Sequence, residues 1–231
     1  MAQTRHAVLR WHLVFVLENV AKFYQDGDVQ RWIFRNLSHD FSSHQFNCIV
    51  GPSGSGKSTL LSLLCGLINA NEGTIRYIAK GEALDLTSAS VKDLRAFRAH
   101  RIGFIYQFFN LIPTLTALEN VLLPLELTKQ QDLHEAAEAR LLALGLADRR
   151  HAFPEELSGG EQQRLAVARA FAHNPSVILA DEPTGNLDQE TGLAVIDLLW
   201  EETNRSNATL IVASHDERVS ERCNHVLTLA S

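Results

Sequence analysis

The sequence predicts an α/β fold: a core built on a mostly parallel sheet, a small antiparallel β subdomain at the N-terminal end, and a helical subdomain inserted into the core. Three observations predict it. Short apolar runs typical of strands buried on both faces recur along the chain: FNCIV (46–50), IGFIY (102–106), VILA (177–180) and TLIVAS (209–214). The first of them leads straight into a glycine-rich loop, GPSGSGKST, and then into the apolar stretch LLSLLCGLI, which reads as strand, loop and helix. Between about residues 87 and 174 the pattern turns mainly helical, so the core is expected over 1–86 and 175–231 and the inserted part over 87–174.

Each element has a local reason. LVFVLENV, the Asp26-Gly27 turn signal and RWIF suggest the antiparallel start. Three helix starts carry capping-box spacing: Thr116 with Glu119, Asp132 with Glu135, and Ser158 with Glu161. Gly145 supplies a stop after the second. The third start, in LSGGEQQR (157–164), poses a problem, because Gly159 and Gly160 fill its first two helical positions. Each glycine costs up to ~1 kcal/mol relative to alanine in a helix interior, and less near an end. Two bare backbones at a capped helix start suit the close approach of an anion.

Composition bounds the function. Across 231 residues, 45% hydrophobic and 21% charged content fit a soluble globular chain and speak against disorder. A formal net charge of −6 gives no general pull toward nucleic acid. Cys48, Cys65 and Cys223 have no metal-ligand spacing and read as buried or partly buried thiols of a reducing compartment. WHLVFVLENV is too short an apolar run for a signal peptide, and no run approaches the ~18 residues of a membrane span. A cytosolic chain is expected, with room for a membrane-protein partner.

The chemistry starts at the glycine loop. Gly51 to Ser58 match G-x-x-x-x-G-K-[ST] between a strand and a helix. Glycines 51, 54 and 56 let backbone amides curl around phosphate oxygens, Lys57 reaches the β- and γ-phosphates, and Ser58 offers its hydroxyl to Mg²⁺. VILADEP puts Asp181 and Glu182 at the end of a buried strand, where ligands of open α/β sheets collect. Neighbouring strand residues point oppositely, so Asp181 is assigned to the metal and Glu182 to the attacking water. His215, ending TLIVAS, is placed to reach the γ-phosphate, and Gln107, ending IGFIY, to reach metal and water from the opposite side. The helical part separates LSGGEQQR from the phosphate loop in sequence, so Ser158, Gly159 and Gly160 are expected to contact the γ-phosphate held by a second copy.

In that order these motifs closely resemble an ABC-type ATPase subunit: Walker A at 51–58, the glutamine loop at Gln107, the signature at 157–163, Walker B at 177–182, the D-loop GNLD at 185–188 and the switch His215. The resemblance covers about residues 12–228. YQDGDVQ (24–30), IGFIYQFFNLIPTLTALENVLLP (102–124) and ADEPTGNLD (180–188) resemble the lipoprotein-releasing and macrolide-export branch. The resemblance implies a P-loop NTPase core and ATP with Mg²⁺ as cofactors. It implies catalytic roles for Glu182, His215, Gln107 and Lys57, and metal contacts from Ser58, Gln107 and Asp181. Nucleotide contacts are implied for Gly51, Ser53, Gly54, Ser55, Gly56, Lys57, Ser58, Thr59, Ser158, Gly159, Gly160 and Asp188. Tyr24 is either an adenine-stacking ring, as in that branch, or an ordinary strand-end tyrosine. Phe108 and Phe109 are either core or part of a groove for a permease helix. SSHQF (42–46) departs from the family's Gly-Glu turn.

The resemblance further implies a homodimer closed around two ATP molecules, integral-membrane permease subunits as partners, no nucleic acid, and a place on the cytoplasmic face of the inner membrane. The expected work is export or extraction of a hydrophobic substrate. The alternative is ATP-driven mechanical regulation of an extracytoplasmic enzyme through a membrane partner.

Overall fold

A computed structural model describes residues 12–27, 29–79 and 82–230. Trp11, in the first apolar run, and Asp28, in the first turn, lie outside the described residues. The chain divides into two compact units, residues 1–96 with 213–231, and residues 97–212.

The first unit holds β1 (Leu13–Asp26), β2 (Val29–Ser42), β3 (Phe46–Val50), α1 (Lys57–Leu64), β4 (Glu72–Ala79) and β5 (Glu82–Asp85). Helix α2 (Val91–Arg101) runs out of it into the second. Strands β1, β2, β4 and β5 form an antiparallel sheet in the order β2-β1-β4-β5, as the Asp26-Gly27 turn predicts. Its buried face is closed by Phe15, whose ring lies 6.5 Å from Phe41 and 5.5 Å from Tyr77.

The second unit continues with β6 (Ile102–Ile105), α3 (Ala117–Thr128), α4 (His134–Leu141), α5 (Gly159–Phe171), β7 (Val177–Asp181), α6 (Gln189–Arg205) and β8 (Thr209–Ala213). Strands β6, β7 and β8 lie side by side in that order, with β6 and β7 parallel, Ile102 opposite Val177. All of β8 and the first four residues of β7 are buried, which is why both read as unbroken apolar runs. The chain then returns to the first unit through α7 (Glu217–Ser220) and β9 (His225–Thr228). There β9 pairs parallel with β3, Cys48 opposite Val226. Cys48, Cys65 and Cys223 are free thiols, and contact with Cys48 pushes the Cys223 thiol up.

Two of the three expected capping boxes form. Thr116 Oγ1 accepts from the Glu119 amide while the Glu119 carboxylate accepts from the Thr116 amide, and Ser158 with Glu161 repeats the arrangement. At the second site the expectation fails. Asp132 falls inside a 3-10 turn (Gln131–Leu133) that runs directly into α4, so Leu133 occupies the cap position in near-helical geometry with no side-chain cap. A preceding turn already in helical conformation removes the extended cap residue that a box requires. Gly145 does act as a stop, at φ +75°.

His173 follows α5, is buried, and has Nε2 3.1 Å from the Ile102 carbonyl. Burial pushes it down to about 4 from an ordinary value of 6.5. The folded chain therefore refuses a proton that the unfolded chain accepts, so stability falls as pH drops from about 6.5 toward 4 and is unaffected above that window. At ~1.4 kcal/mol per unit, denaturant melts at pH 7 and pH 5 should differ by about 2 kcal/mol less in His173→Gln than in the wild type. An unchanged difference contradicts this reading.

Candidate nucleotide site

The first unit supplies a phosphate cradle. Gly56, at φ +96°, is the N-cap of α1, and no side chain caps that helix end. A Cβ at Gly56 would lie 2.4 Å from Ile33 Cγ2, so β2 leaves room there for backbone alone. Among the described residues the amides of Gly54 and Gly56 donate to no backbone group, and Ser53 and Gly54 are exposed. Uncapped amides at a helix start are a ready anion site. Lys57 is buried, and its Nζ spans the loop to the Gly51 carbonyl at 2.8 Å and the Pro52 carbonyl at 3.3 Å. The Ser55 hydroxyl is turned inward and buried, so Ser55 offers an anion only its backbone. Ser58 is exposed and Thr59 half-buried on the first turn of α1.

Tyr24 sits near the end of β1, 45% exposed, with Lys22 Nζ 5.0 Å from its ring centroid. Lys22 is itself tethered to the Asn69 carbonyl at 2.8 Å. An accessible ring is what stacking on a base needs. His215 lies exposed two residues beyond β8, followed by Asp216, whose carboxylate is held below its usual range by its bonds to Arg218.

The second unit supplies the carboxylates and the signature. Asp181 ends β7 half-buried, and Glu182 follows at φ +45°, a left-handed conformation uncommon for a residue with a Cβ. The Gly185 amide donates to the Glu182 carbonyl at 3.0 Å and closes that turn. Gln107 is brought to the same place: a Cβ on Gly185 would lie 3.3 Å from Gln107 Nε2, and Asn186 Nδ2 donates to the Gln107 carbonyl at 2.6 Å. Gln107, Glu182 and the D-loop are therefore one cluster within this unit.

The glycines of the signature separate into two cases. A Cβ at Gly160 would lie 2.7 Å from Thr191 Cγ2, so packing of α5 on α6 requires that glycine. Among the described residues a Cβ at Gly159 would meet only Leu187 Cδ2, at an ordinary 3.5 Å, so none of them requires a glycine there. Asp188 caps α6, its carboxylate accepting from the Thr191 amide at 3.0 Å.

Each unit carries oxygen donors of the kind Mg²⁺ takes, Ser58 in the first and Gln107 and Asp181 in the second. The sequence placed Asn186 in the D-loop and Gln163 in the signature without assigning their contacts and gave no sign of Arg169, because amide and guanidinium contacts to backbone carbonyls leave no spacing signature.

With phosphate loop, carboxylate pair and capped signature helix in place, comparison with known proteins settles the class. The family model "ABC transporter" matches residues 34–185. The chain is 42% identical over 215 residues to an uncharacterised ABC transporter ATP-binding protein of Mycobacterium tuberculosis (strain CDC 1551 / Oshkosh), covering 92% of this chain and 85% of that one. It is 40% identical over 219 residues to the lipoprotein-releasing system ATP-binding protein LolD of Legionella pneumophila (strain Paris), covering 94% and 95%. Among solved structures it resembles the ATP-binding cassette MJ0796 in a dimeric post-hydrolysis state bound to ADP and Pi, with TM-score 0.81, 36% identity and coverage of 93% and 94%. The chain belongs to the ABC transporter family and is an ATPase of that family, similar to its lipoprotein-releasing branch.

Proposed function

We propose that the chain is the ATP-hydrolysing subunit of a membrane machine, closing as a homodimer around two ATP molecules and driving separate permease subunits from the cytoplasmic face of the inner membrane. The observation that carries the shared site is Gly159: a bare, exposed backbone at a capped helix start, which no described residue of the chain needs bare. The relative MJ0796 is described as a dimer with ADP and Pi, which supports closure of two copies. The similarity to LolD supports extraction or export of a hydrophobic, lipid-linked substrate.

In this reading the amides around Gly54 and Gly56 hold the β-phosphate, and Lys57 exchanges its loop carbonyls for β- and γ-phosphate oxygens. Tyr24 stacks on adenine. Ser58, Asp181 and Gln107 would hold Mg²⁺, which would supply charge neutralisation to the phosphates. Glu182 accepts the proton of the attacking water, and His215 and Gln107 orient that water against the γ-phosphate. Ser158, Gly159 and Gly160 of the second copy cover the γ-phosphate, with Asp188 beside them. Water adds to the γ-phosphorus as the bond to ADP breaks, giving ADP and phosphate. No helix among the described residues is long and apolar enough to cross a membrane.

The test is recovery of the chain from detergent-solubilised membranes with its bound partner. A co-purifying integral-membrane chain that stimulates ATP hydrolysis is expected; a chain that hydrolyses ATP but binds no membrane protein under any nucleotide condition contradicts the proposal.

A further inference from the structure

The signature helix α5 carries two polar side chains, Gln163 fully buried and Arg169 partly buried, that hold backbone carbonyls of distant turns. Gln163 is fully buried; its Nε2 donates to the Pro183 carbonyl at 2.7 Å, and its Oε1 is buried with no hydrogen-bond partner. Further along the helix, Arg169 donates from one η nitrogen to the Phe109 carbonyl at 2.8 Å and from the other to the Asn110 carbonyl at 2.7 Å. Among the described residues Arg169 has no carboxylate partner, and burial lowers its pKa. A buried amide oxygen without a partner adds nothing to stability, and a partly buried guanidinium spent on two backbone carbonyls fixes those carbonyls rather than a counter-charge.

Both side chains grip turns in unusual conformations. Pro183 follows Glu182, at φ +45°, while Phe109 and Asn110, at φ +58° and +51°, follow Gln107. Asparagine adopts that conformation readily, whereas a phenylalanine or glutamate such as Phe109 or Glu182 holds it only where the surroundings fix it. The Asn186 bond to the Gln107 carbonyl links the two turns to each other. One rigid helix thus ends at Ser158–Gly160 and holds from behind both turns that carry the water-handling side chains.

We propose that Gln163 and Arg169 are positioning residues, through which displacement of the signature end of α5 is passed to Glu182 and Gln107 of the same chain. A nucleotide held by one copy would thereby set the water-handling groups of the other copy's own site. The proposal rests on the roles of Glu182 and Gln107 given above.

The test uses the full chain with Gln163→Leu, Arg169→Met, Arg169→Lys and Glu182→Gln, measuring thermal unfolding, nucleotide binding and steady-state ATP hydrolysis. In Gln163→Leu the Pro183 carbonyl loses its donor, so the melting temperature should fall by about 5 °C at most and nucleotide affinity should stay within about two-fold, while kcat falls by about ten-fold or more with little change in KM, as expected for a misplaced catalytic group. Arg169→Met should show the same split. Arg169→Lys, which keeps a donor for both carbonyls, should recover most of kcat. Wild-type kcat in a folded Gln163→Leu chain, or a loss of kcat that comes only with a fall in melting temperature well beyond about 5 °C, overturns the proposal; Gln163→Leu decides even where Arg169→Met fails to fold. If Glu182→Gln abolishes hydrolysis while Gln163→Leu leaves it intact, the positioning proposal alone fails. If Glu182→Gln hydrolyses normally, the reading of the site fails with it.

Discussion

In Glu182→Gln, ATP with Mg²⁺ should convert the chain into a stable dimer while hydrolysis falls by about 10²- to 10⁴-fold, the contribution of a well-placed general base. The amide keeps the size and shape of the carboxylate. The backbone turn at residue 182 is held by the Gly185 amide, independent of the side chain. The substitution therefore removes proton acceptance without disturbing ATP binding, and the closed state accumulates because it cannot be resolved by cleavage. Size-exclusion chromatography with and without ATP measures the first effect and phosphate release the second. Monomeric protein alongside undiminished phosphate release removes Glu182 from its role.

The second large effect is on stability. Arg140 of α4 donates from Nε to Glu202 of α6 at 3.0 Å and from a second nitrogen to the Phe171 carbonyl at the end of α5 at 2.6 Å. Arg205 completes the group, 2.6 Å from the same Glu202 oxygen. The Arg140 and Glu202 side chains are only 11% and 5% exposed. Truncating Glu202 to alanine strands Arg140 in a buried site, and the expected loss is about 3–5 kcal/mol, the usual result of breaking a buried pair from one side. For a chain of this size that lowers the melting temperature by roughly 10 °C. Replacing both partners with apolar residues, Arg140→Met with Glu202→Leu, should return most of it, because no buried charge is then left alone. A double variant as unstable as Glu202→Ala contradicts this account.

What was legible in the sequence is what carries a period or a spacing. The phosphate loop, the strand ending at Asp181 and the boxes at Thr116 and Ser158 were readable because local chemistry decides them. The Asp132 box had the same spacing and failed, since spacing does not show that the preceding residues are already helical. Gly159 and Gly160 looked alike in the sequence; only the Thr191 methyl beneath Gly160 separates an internal packing need from an external one. The left-handed turns at Phe109 and Glu182 left no trace in the sequence, because neither phenylalanine nor glutamate advertises positive φ. Their supports, Gln163, Arg169 and Asn186, act on backbone carbonyls far away in sequence.

The central claim is that one nucleotide is held by the phosphate loop of one copy and the signature of the other. Mixing two inactive variants tests it most directly, both in the Glu182→Gln background so that closed dimers persist. Lys57→Ala loses the ammonium that now bridges the Gly51 and Pro52 carbonyls. Gly159→Asp sets a carboxylate where only Leu187 lies near, so the fold is kept while a γ-phosphate is repelled. Neither variant alone should dimerise with ATP. Mixed, the Gly159→Asp chain supplies an intact loop and the Lys57→Ala chain an intact signature, so one complete site is rebuilt, and ATP-dependent association should return as a heterodimer. If both variants are folded, the unmixed Glu182→Gln control closes, and the mixture still shows no association, the nucleotide is not shared between chains.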